Sequence, residues 1–250
     1  MKLAGRIALV TGSSSGIGRG VALAFAREGA AVAINHPGPA EAAAAQAVVE
    51  EIEALGGRAV VVPADVSDEH QVAAMVMATE RQLGPIDILV NNAGIAAAGA
   101  VHELEPAIWD RVIAVHLRGT FLVTRAVLPG MYARGRGRII NTASQLAYKG
   151  APGFSAYTAA KGGILSFTRS TALEIGARDI TINCVAPGAT LTPILADVPR
   201  DVLEQIRAAI PLGRLAEVAD IVGSYVFLAS DEARHYQGQC LSPNGGDVFL

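Results

Sequence analysis

Short, wholly apolar runs alternate with longer amphipathic stretches from one end of the chain to the other. Ile7-Ala8-Leu9-Val10, Ala31-Val32-Ala33-Ile34 and Ala59-Val60-Val61-Val62 show no inside–outside alternation. Uniform runs of this length suit strands covered on both faces, the habit of a parallel sheet. They predict strands over Arg6–Thr11, Ala31–Asn35, Arg58–Pro63, Ile86–Asn91, Arg138–Thr142 and Ile180–Val185, with Gln239–Ser242 as a closing strand. Helical periodicity fills the gaps. Ile17–Glu28 is ended by Gly29, alanine-rich Ala40–Leu55 is stopped by Gly56-Gly57, and Glu69–Leu83 is capped by Asp68 or Ser67. A long helix from near Ala107 to Ala133, then Ala156–Ile175 and Glu217–Ala229, complete the set, while Thr192–Ala209 reads as an irregular, partly helical excursion. Strand–helix alternation without a linker, repeat or low-complexity tract predicts one α/β domain with right-handed crossovers.

Composition agrees. A hydrophobic fraction of 51% over 250 residues is enough for a sheet buried on both faces. The net charge of −3 comes from interspersed acids and bases, so there is no footprint for nucleic acid. No uninterrupted apolar stretch reaches the roughly eighteen residues of a membrane helix. Met1–Arg6 runs straight into a strand without the apolar core of a signal peptide. A cytoplasmic protein is expected. Cys184 and Cys240 lie in apolar, strand-like runs and read as reduced, buried thiols, with no metal site.

The chemistry begins at Thr11-Gly12-Ser13-Ser14-Ser15-Gly16-Ile17-Gly18, between the first strand and the first helix. Gly12 lets the chain reverse, Gly16 admits a pyrophosphate, and Gly18 permits close helix–strand packing. The helix that opens near Gly16 offers free amides and its positive dipole end to phosphates, with Ser14, Ser15 and Ile17 in the same loop. Three residues separate the first two glycines, not the single residue of the commoner dinucleotide fingerprint. Farther along, Tyr157 and Lys161 stand four apart on a predicted helix and so share a face, and Ser144 lies thirteen residues before the tyrosine. Hydride transfer between a carbinol carbon and a nicotinamide must move one proton on or off the oxygen. A tyrosine near its free pKa of about 10 is a poor base at neutral pH, and a neighbouring ammonium lowers that value. Tyr157 is therefore the expected acid/base, Lys161 its activator, and Ser144 the hydroxyl that orients the substrate oxygen. A Tyr–Lys pair alone is also an ordinary helix-surface pair, and a serine an ordinary strand-end cap. Together with the glycine turn, in this order, they point to a nicotinamide-dependent oxidoreductase.

Asn91-Asn92-Ala93-Gly94 after the fourth strand, and Pro187-Gly188 after the sixth with Thr192 beyond, complete an ordered set. With these motifs the chain resembles the short-chain dehydrogenase/reductase family over essentially its full length. The resemblance implies a Rossmann-type, doubly wound, mostly parallel sheet of seven strands, an NAD or NADP cofactor, and frequently a tetramer. It implies that Asp65 and Val66 flank the adenine, and that Asn92, Ala93 and Gly94 shape the cofactor cleft. It further implies that Lys161 reaches the nicotinamide ribose and that Pro187, Gly188, Thr190 and Thr192 lie near the nicotinamide. The general layout is similar to bacterial glucose dehydrogenases and 3-oxoacyl carrier-protein reductases alike.

Several positions depart from that pattern. The family commonly has asparagine where this chain has His116, its backbone holding a water that links the lysine to solvent. Histidine keeps the carbonyl and adds a ring able to relay protons, or it is simply a packed helix residue. At the end of the second strand, Ile34-Asn35-His36-Pro37 offers neither the carboxylate that selects NAD nor the arginine or lysine that meets a 2′-phosphate. Asn35, Ser13 or Ser14, and His36 are left as candidate phosphate partners, which leans the expectation towards NADP or towards use of both cofactors.

Leu191–Gly213 is the expected substrate lid, with Ile194, Leu195 and Val198 as apolar lining. Ile95–Gly99 and Gln145–Phe154 would make the other wall. Few carboxylates or amides suitable for a polyol are evident there, and polarity comes only from Gln145, Tyr148 and Lys149. The expected reaction interconverts a secondary alcohol and a carbonyl of a sugar or small molecule. A carrier-linked acyl reductase is the alternative within the class, with Arg125, Arg134 and Arg136 as a basic rim. A catalytically silent nucleotide sensor is the alternative outside it. Apolar residues on several faces of the two long helices predict helix pairing between subunits, hence a homotetramer.

Overall fold

The computed structural model describes residues 1–196 and 198–249. Seven strands form one parallel sheet in the order β3-β2-β1-β4-β5-β6-β7. They are β1 (Ile7–Val10), β2 (Ala31–His36), β3 (Ala59–Pro63), β4 (Ile88–Asn91), β5 (Arg136–Thr142), β6 (Asp179–Val185) and β7 (Cys240–Leu241). The doubly wound expectation holds. Between them run α1 (Gly16–Arg27), α2 (Ala42–Ala54), α3 (Glu69–Gln82), α4 (Pro106–Ile113), α5 (Gly119–Arg134), α6 (Leu146–Lys149), α7 (Ser155–Ile175), α8 (Arg200–Ala209) and α9 (Val218–Ala229).

The uniform apolar strands are buried on both faces. On one side Phe25 of α1, Ile52 of α2 and Tyr225 of α9 pack against Val10, Ile34 and Ile140. On the other, Met75 of α3, Met131 of α5 and Ile175 of α7 pack against Leu9, Ala33 and Ile182. The winding reverses between β1 and β4, which leaves a crevice beyond their carboxyl ends where ligands of such sheets settle.

The boundaries differ from expectation in instructive places. Asp68 is the cap of α3, its carboxylate accepting from the backbone N–H groups of His70 and Gln71. The long helix runs from Pro106 to Arg134, but its middle, Ala114–Arg118, is a π-helical turn centred on His116. It is long and apolar enough to cross a membrane, yet it is half buried, with its inner residues in the core beside the sheet. The excursion after Thr192 contains a regular helix, α8, and an isolated parallel bridge between Thr190 and Ala216 ties the two ends of that segment together. Cys184 and Cys240 are direct neighbours across β6 and β7; both thiols are free, but only Cys184 is fully buried.

Candidate active site

The glycine turn is built as the sequence requires. Gly12 has φ of 60°, and a Cβ there would stand 2.8 Å from the Cα of Ala93. A Cβ on Gly18 would stand 2.3 Å from the carbonyl oxygen of Gly12 and 2.5 Å from Asn92 Nδ2. Only glycine lets α1 approach this closely. The Asn92 amide donates to the carbonyls of Thr11 and Gly12, and Thr11 Oγ1 accepts from the N–H groups of Asn92 and Ala93 at 2.9 and 3.0 Å. The motif after β4 is thus stitched onto the turn after β1. Ser15 precedes α1 without capping it by its side chain, so the first amides of the helix stay free for an anion. Thr192 lies over the turn, since a Cβ on Gly16 would be 3.5 Å from its side chain. A glycine cradle, free helix amides and a covering threonine together fit a dinucleotide pyrophosphate.

Around the adenosine end, two expectations need correction. Asn35 is buried, and its side chain is fully spent on the backbone. Its Oδ1 accepts from Gly12 N–H at 3.0 Å, and its Nδ2 donates to the carbonyls of Val62 and Ala64 at 3.1 Å. Ser13 is equally occupied, donating to the Val10 carbonyl and accepting from Asn35 N–H. Neither side chain is turned out towards a phosphate; they hold three strand ends in register. His36 Nδ1 is 2.8 Å from the Gly38 carbonyl, which leaves Nε2 as the nitrogen available to a ligand. Asp65 accepts from the Ser67 hydroxyl and N–H and from Arg111 of α4, contacts that hold its carboxyl below the ordinary range against the opposing effect of burial. Val66 packs against Gly119 of α5.

Ser144, Tyr157 and Lys161 converge at the carboxyl end of β5. Lys161 is buried, its Nζ donates to the Thr142 carbonyl at 2.6 Å, and it sits 5.6 Å from the centre of the Tyr157 ring. Thr142 is pinned from the opposite layer, its hydroxyl 2.8 Å from the buried Tyr225 hydroxyl. Ser144 Oγ accepts from Leu146 N–H and lies beside the Tyr157 phenol. The electrostatics depart from the simple picture of an ammonium activating a phenol. Burial dominates at Tyr157 and raises its pKa, with Ser144 pulling the other way. Burial also lowers Lys161 to about 7. The helix spacing put the pair on one face; it could not reveal that the face is turned away from water.

His116 is buried too, and its Nε2 lies 3.0 Å from the backbone nitrogen of Ile95 and 2.8 Å from its oxygen. Its ring meets Tyr157 edge-on at 5.2 Å and covers Gly94, where a Cβ would strike it. Burial, then the charge of Lys161, pushes its pKa down to about 3. A ring held this neutral is a latch on the Gly94–Ile95 loop. The His116 carbonyl accepts from Thr120 Oγ1 at 2.7 Å.

On the substrate side, Gly99 N–H donates to the Gly153 carbonyl at 2.9 Å, joining the two expected walls. The sequence reading missed a third contributor. Gly188 N–H donates to the Pro243 carbonyl, which brings the C-terminal turn alongside Pro187 and Gly188. There Asp247 Oδ2 accepts from Gln145 Nε2 at 2.7 Å and from Lys149 Nζ at 2.5 Å. Nothing local in Asn244-Gly245-Gly246-Asp247 announces a partner a hundred residues upstream; the glycine-rich turn was its only signal. A cavity of about 250 Å³ lies between Gly188, Ile210, Arg214 and Asn244. Among the described residues, no cluster suited to a metal ion is present.

A nucleotide cradle at the switch point of a doubly wound sheet, beside a buried Ser–Tyr–Lys cluster, defines a nicotinamide-dependent oxidoreductase. The chain belongs to the short-chain dehydrogenase/reductase family. A family profile described as enoyl-(acyl carrier protein) reductase matches residues 12–247. The chain is 43% identical over 246 residues to the hydroxy(phenyl)methylsuccinyl-CoA dehydrogenase subunit BbsD of Thauera aromatica, covering 98% of both chains. It is 41% identical over 239 residues to a 3-oxoacyl-(acyl-carrier-protein) reductase of Staphylococcus aureus, covering 96% of both. Among solved structures it resembles levodione reductase, with a TM-score of 0.92 and 36% identity over 98% of each chain. A putative NAD(P)-dependent gluconate 5-dehydrogenase from Beutenbergia cavernae, with NADP bound at low occupancy, matches with a TM-score of 0.92 and 37% identity, over 98% of this chain and 97% of its own. The protein is an NAD(P)-dependent oxidoreductase that interconverts alcohols and carbonyl compounds.

Proposed function

We propose that this enzyme interconverts a secondary alcohol and a ketone of a small or sugar-like substrate, with Tyr157 as acid/base and a lean towards NADP. The observation that carries the reading is the buried convergence of Ser144, Tyr157 and Lys161 beyond β5, next to the glycine cradle. The nicotinamide, when bound, supplies or accepts the hydride. Gly12, Ser14, Ser15, Gly16, Ile17 and Gly18 hold its pyrophosphate, Asp65 and Val66 its adenine, and Asn92, Ala93 and Gly94 the floor of the cleft. Pro187, Gly188, Thr190 and Thr192 border the nicotinamide, beneath a lid over about 190–213. Ser144 orients the substrate oxygen. Tyr157 gives that oxygen its proton in reduction and takes it back in oxidation, and Lys161 holds the proton balance from beneath the phenol. His116 keeps the Gly94–Ile95 loop seated beside Tyr157. His36 Nε2 is the remaining polar contact for the adenosine ribose or its 2′-phosphate.

The 41% identity to a carrier-protein reductase favours a second reading, reduction of a carrier-linked acyl chain. The arginines considered for that rim argue against it. Arg125 pairs with Glu69, Arg134 donates to the Ile86 carbonyl, and Arg136 pairs with Asp87. Arg134 and Arg136 also stand at the amino end of β5, whose length of roughly 20 Å at the rise of a strand separates them from the end at which Ser144 follows. We place the enzyme in the cytoplasm as a homotetramer. Following nicotinamide absorbance with NADPH and NADH against ketones, sugars and acyl thioesters tests both readings: small carbonyl compounds should respond and thioesters should not, and the reverse selects the carrier reaction.

A further inference from the structure

Cys184 of β6 and Cys240 of β7 are register partners in a parallel pair, so their side chains leave the sheet on the same face. The ladder clasps them on both sides: Cys184 N–H donates to the Gln239 carbonyl and Ala186 N–H to the Leu241 carbonyl, each at 2.8 Å. Neighbouring strands stand about 4.8 Å apart, inside the Cα separation of roughly 4.4–6.8 Å that a disulfide spans. Both thiols are free, and a bond between them asks for side-chain rotation, not for movement of either strand.

The two thiols differ in their surroundings. Cys184 is 1% exposed among Ala143, Ile164 and Leu165, with its Sγ 3.1 Å from Thr168 Oγ1. Cys240 lies on the last strand of the sheet and keeps part of its surface in solvent. Contact with the Cys184 thiol lowers the Cys240 pKa; burial works against this, and the Tyr148 hydroxyl and the Arg169 charge assist it. The same contact, with burial, pushes Cys184 well above the ordinary thiol value. Cys240 is therefore the thiol that ionises and meets an oxidant, and Cys184 the one that resolves it. The short helix α6 joins this pair to the active site. Ala147 packs on the cluster around Cys184, the Tyr148 hydroxyl lies beside Cys240, and Leu146 N–H donates to Ser144 Oγ at 3.1 Å.

We infer that Cys184 and Cys240 are an oxidative modification site: hydrogen peroxide converts them to an intrachain disulfide, and α6 carries the change to Ser144. The Cys240 thiolate attacks one peroxide oxygen, the O–O bond breaks, and the departing oxygen takes up a proton and leaves as water. The Cys184 sulfur then attacks the sulfenic acid on Cys240; the S–O bond breaks, and a second water departs with the Cys184 proton. Two thiols thus give two electrons to one peroxide. Tyr148 loses the Cys240 thiol as its partner, and α6 loses an anchor on the sheet.

The chain has no other cysteine, so thiol titration of the unfolded protein reads the site without reference to activity. After hydrogen peroxide both thiols should be lost, and both should return with dithiothreitol. Peptide mapping without reduction should join Cys184 to Cys240, in a protein that keeps its single-chain mass on a denaturing gel. Cys240→Ser should retain its Cys184 thiol, and Cys184→Ala should hold Cys240 as a sulfenic acid that dimedone traps. Thiols that survive peroxide sufficient to oxidise glutathione overturn the inference, as does a bond between two chains or oxidation of Cys184 in Cys240→Ser. The kinetic arm rests on the function proposed above. Oxidation should raise KM for the carbonyl substrate about tenfold, the size of one net hydrogen bond, with the Kd for NADPH within about twofold. Dithiothreitol should reverse the rise, Tyr148→Phe should show it while reduced, and Cys240→Ser should be indifferent to peroxide. A closed disulfide with unchanged KM overturns the coupling through α6. The expected thiol chemistry in a protein that turns over no carbonyl compound upholds the site and counts against the proposed reaction.

Discussion

Lys161 shows what the interior asks of a single side chain. In water it would hold its proton to about pH 10.5; in the folded protein burial brings that down to about 7. Below pH 7 the folded state carries the full cost of a buried ammonium, on the order of 5 kcal/mol from the size of the shift. As pH rises from 7 towards 10.5 the unfolded chain loses the same proton, and the cost fades. Lys161→Met should therefore stabilise the protein while abolishing useful turnover. Its gain in unfolding free energy should be larger at pH 6.5 than at pH 9.5, as measured by denaturant titration. A gain independent of pH would mean that Lys161 is not held in the state described. His116 makes the complementary case. Because its ring stays neutral down to about pH 3, His116→Asn should leave the shape of the pH–rate profile between pH 5 and 9 unchanged. His116→Leu, which removes the bond to Ile95, should lower kcat about tenfold or more. A profile limb that disappears in His116→Asn would instead establish the ring as a proton relay.

At the scale of elements, the turn between β1 and α1 is the most demanding junction. A methyl on Gly18 meets both the Gly12 carbonyl and the Asn92 amide at distances no atom tolerates, so α1 or the Asn92 loop must move. Gly18→Ala should cost about 1–3 kcal/mol by overpacking and weaken cofactor affinity at least tenfold, read by denaturation and by fluorescence titration of NADPH. Unchanged affinity would detach the turn from the cofactor. This junction was legible in the sequence because its requirements are local: three glycines, a strand before them and a helix after. The π-helical turn at Ala114–Arg118 was not, since no residue there breaks a helical pattern. It carries His116 to its seat on Ile95, a contact made only once β4 and the long helix have packed. Asn35 misled for the same reason. An amide at a strand end reads as a ligand, and only the third strand beside it reveals that its donors are spent.

For the molecule as a whole, the alternation of strands and helices followed from apolar runs and punctuation, and the doubly wound sheet from the family resemblance. The composition of the site did not follow so fully. Ser144, Tyr157 and Lys161 were legible because they recur in a fixed order, whereas Asp247 enters from the far end of the chain through the turn at Gly188. The same scale governs assembly. Trp109 on α4, Phe121 on α5 and Leu173 on α7 remain exposed in the single chain, Leu173 by 85%. Covering them by pairing the long helices of neighbouring subunits should give the mass of four chains in light scattering at micromolar concentration, and Phe121→Glu should lower it. A monomeric mass in the wild type would reject the tetramer.

The claim on which the rest depends is that Tyr157 moves the proton at the reacting oxygen. Tyr157→Phe removes one hydroxyl from a ring that keeps its contacts with His116 and Phe154. With the carbonyl substrate that the wild type turns over fastest, kcat in this variant should fall by three orders of magnitude or more while the Kd for NADPH stays within about twofold. Retained turnover would contradict the account.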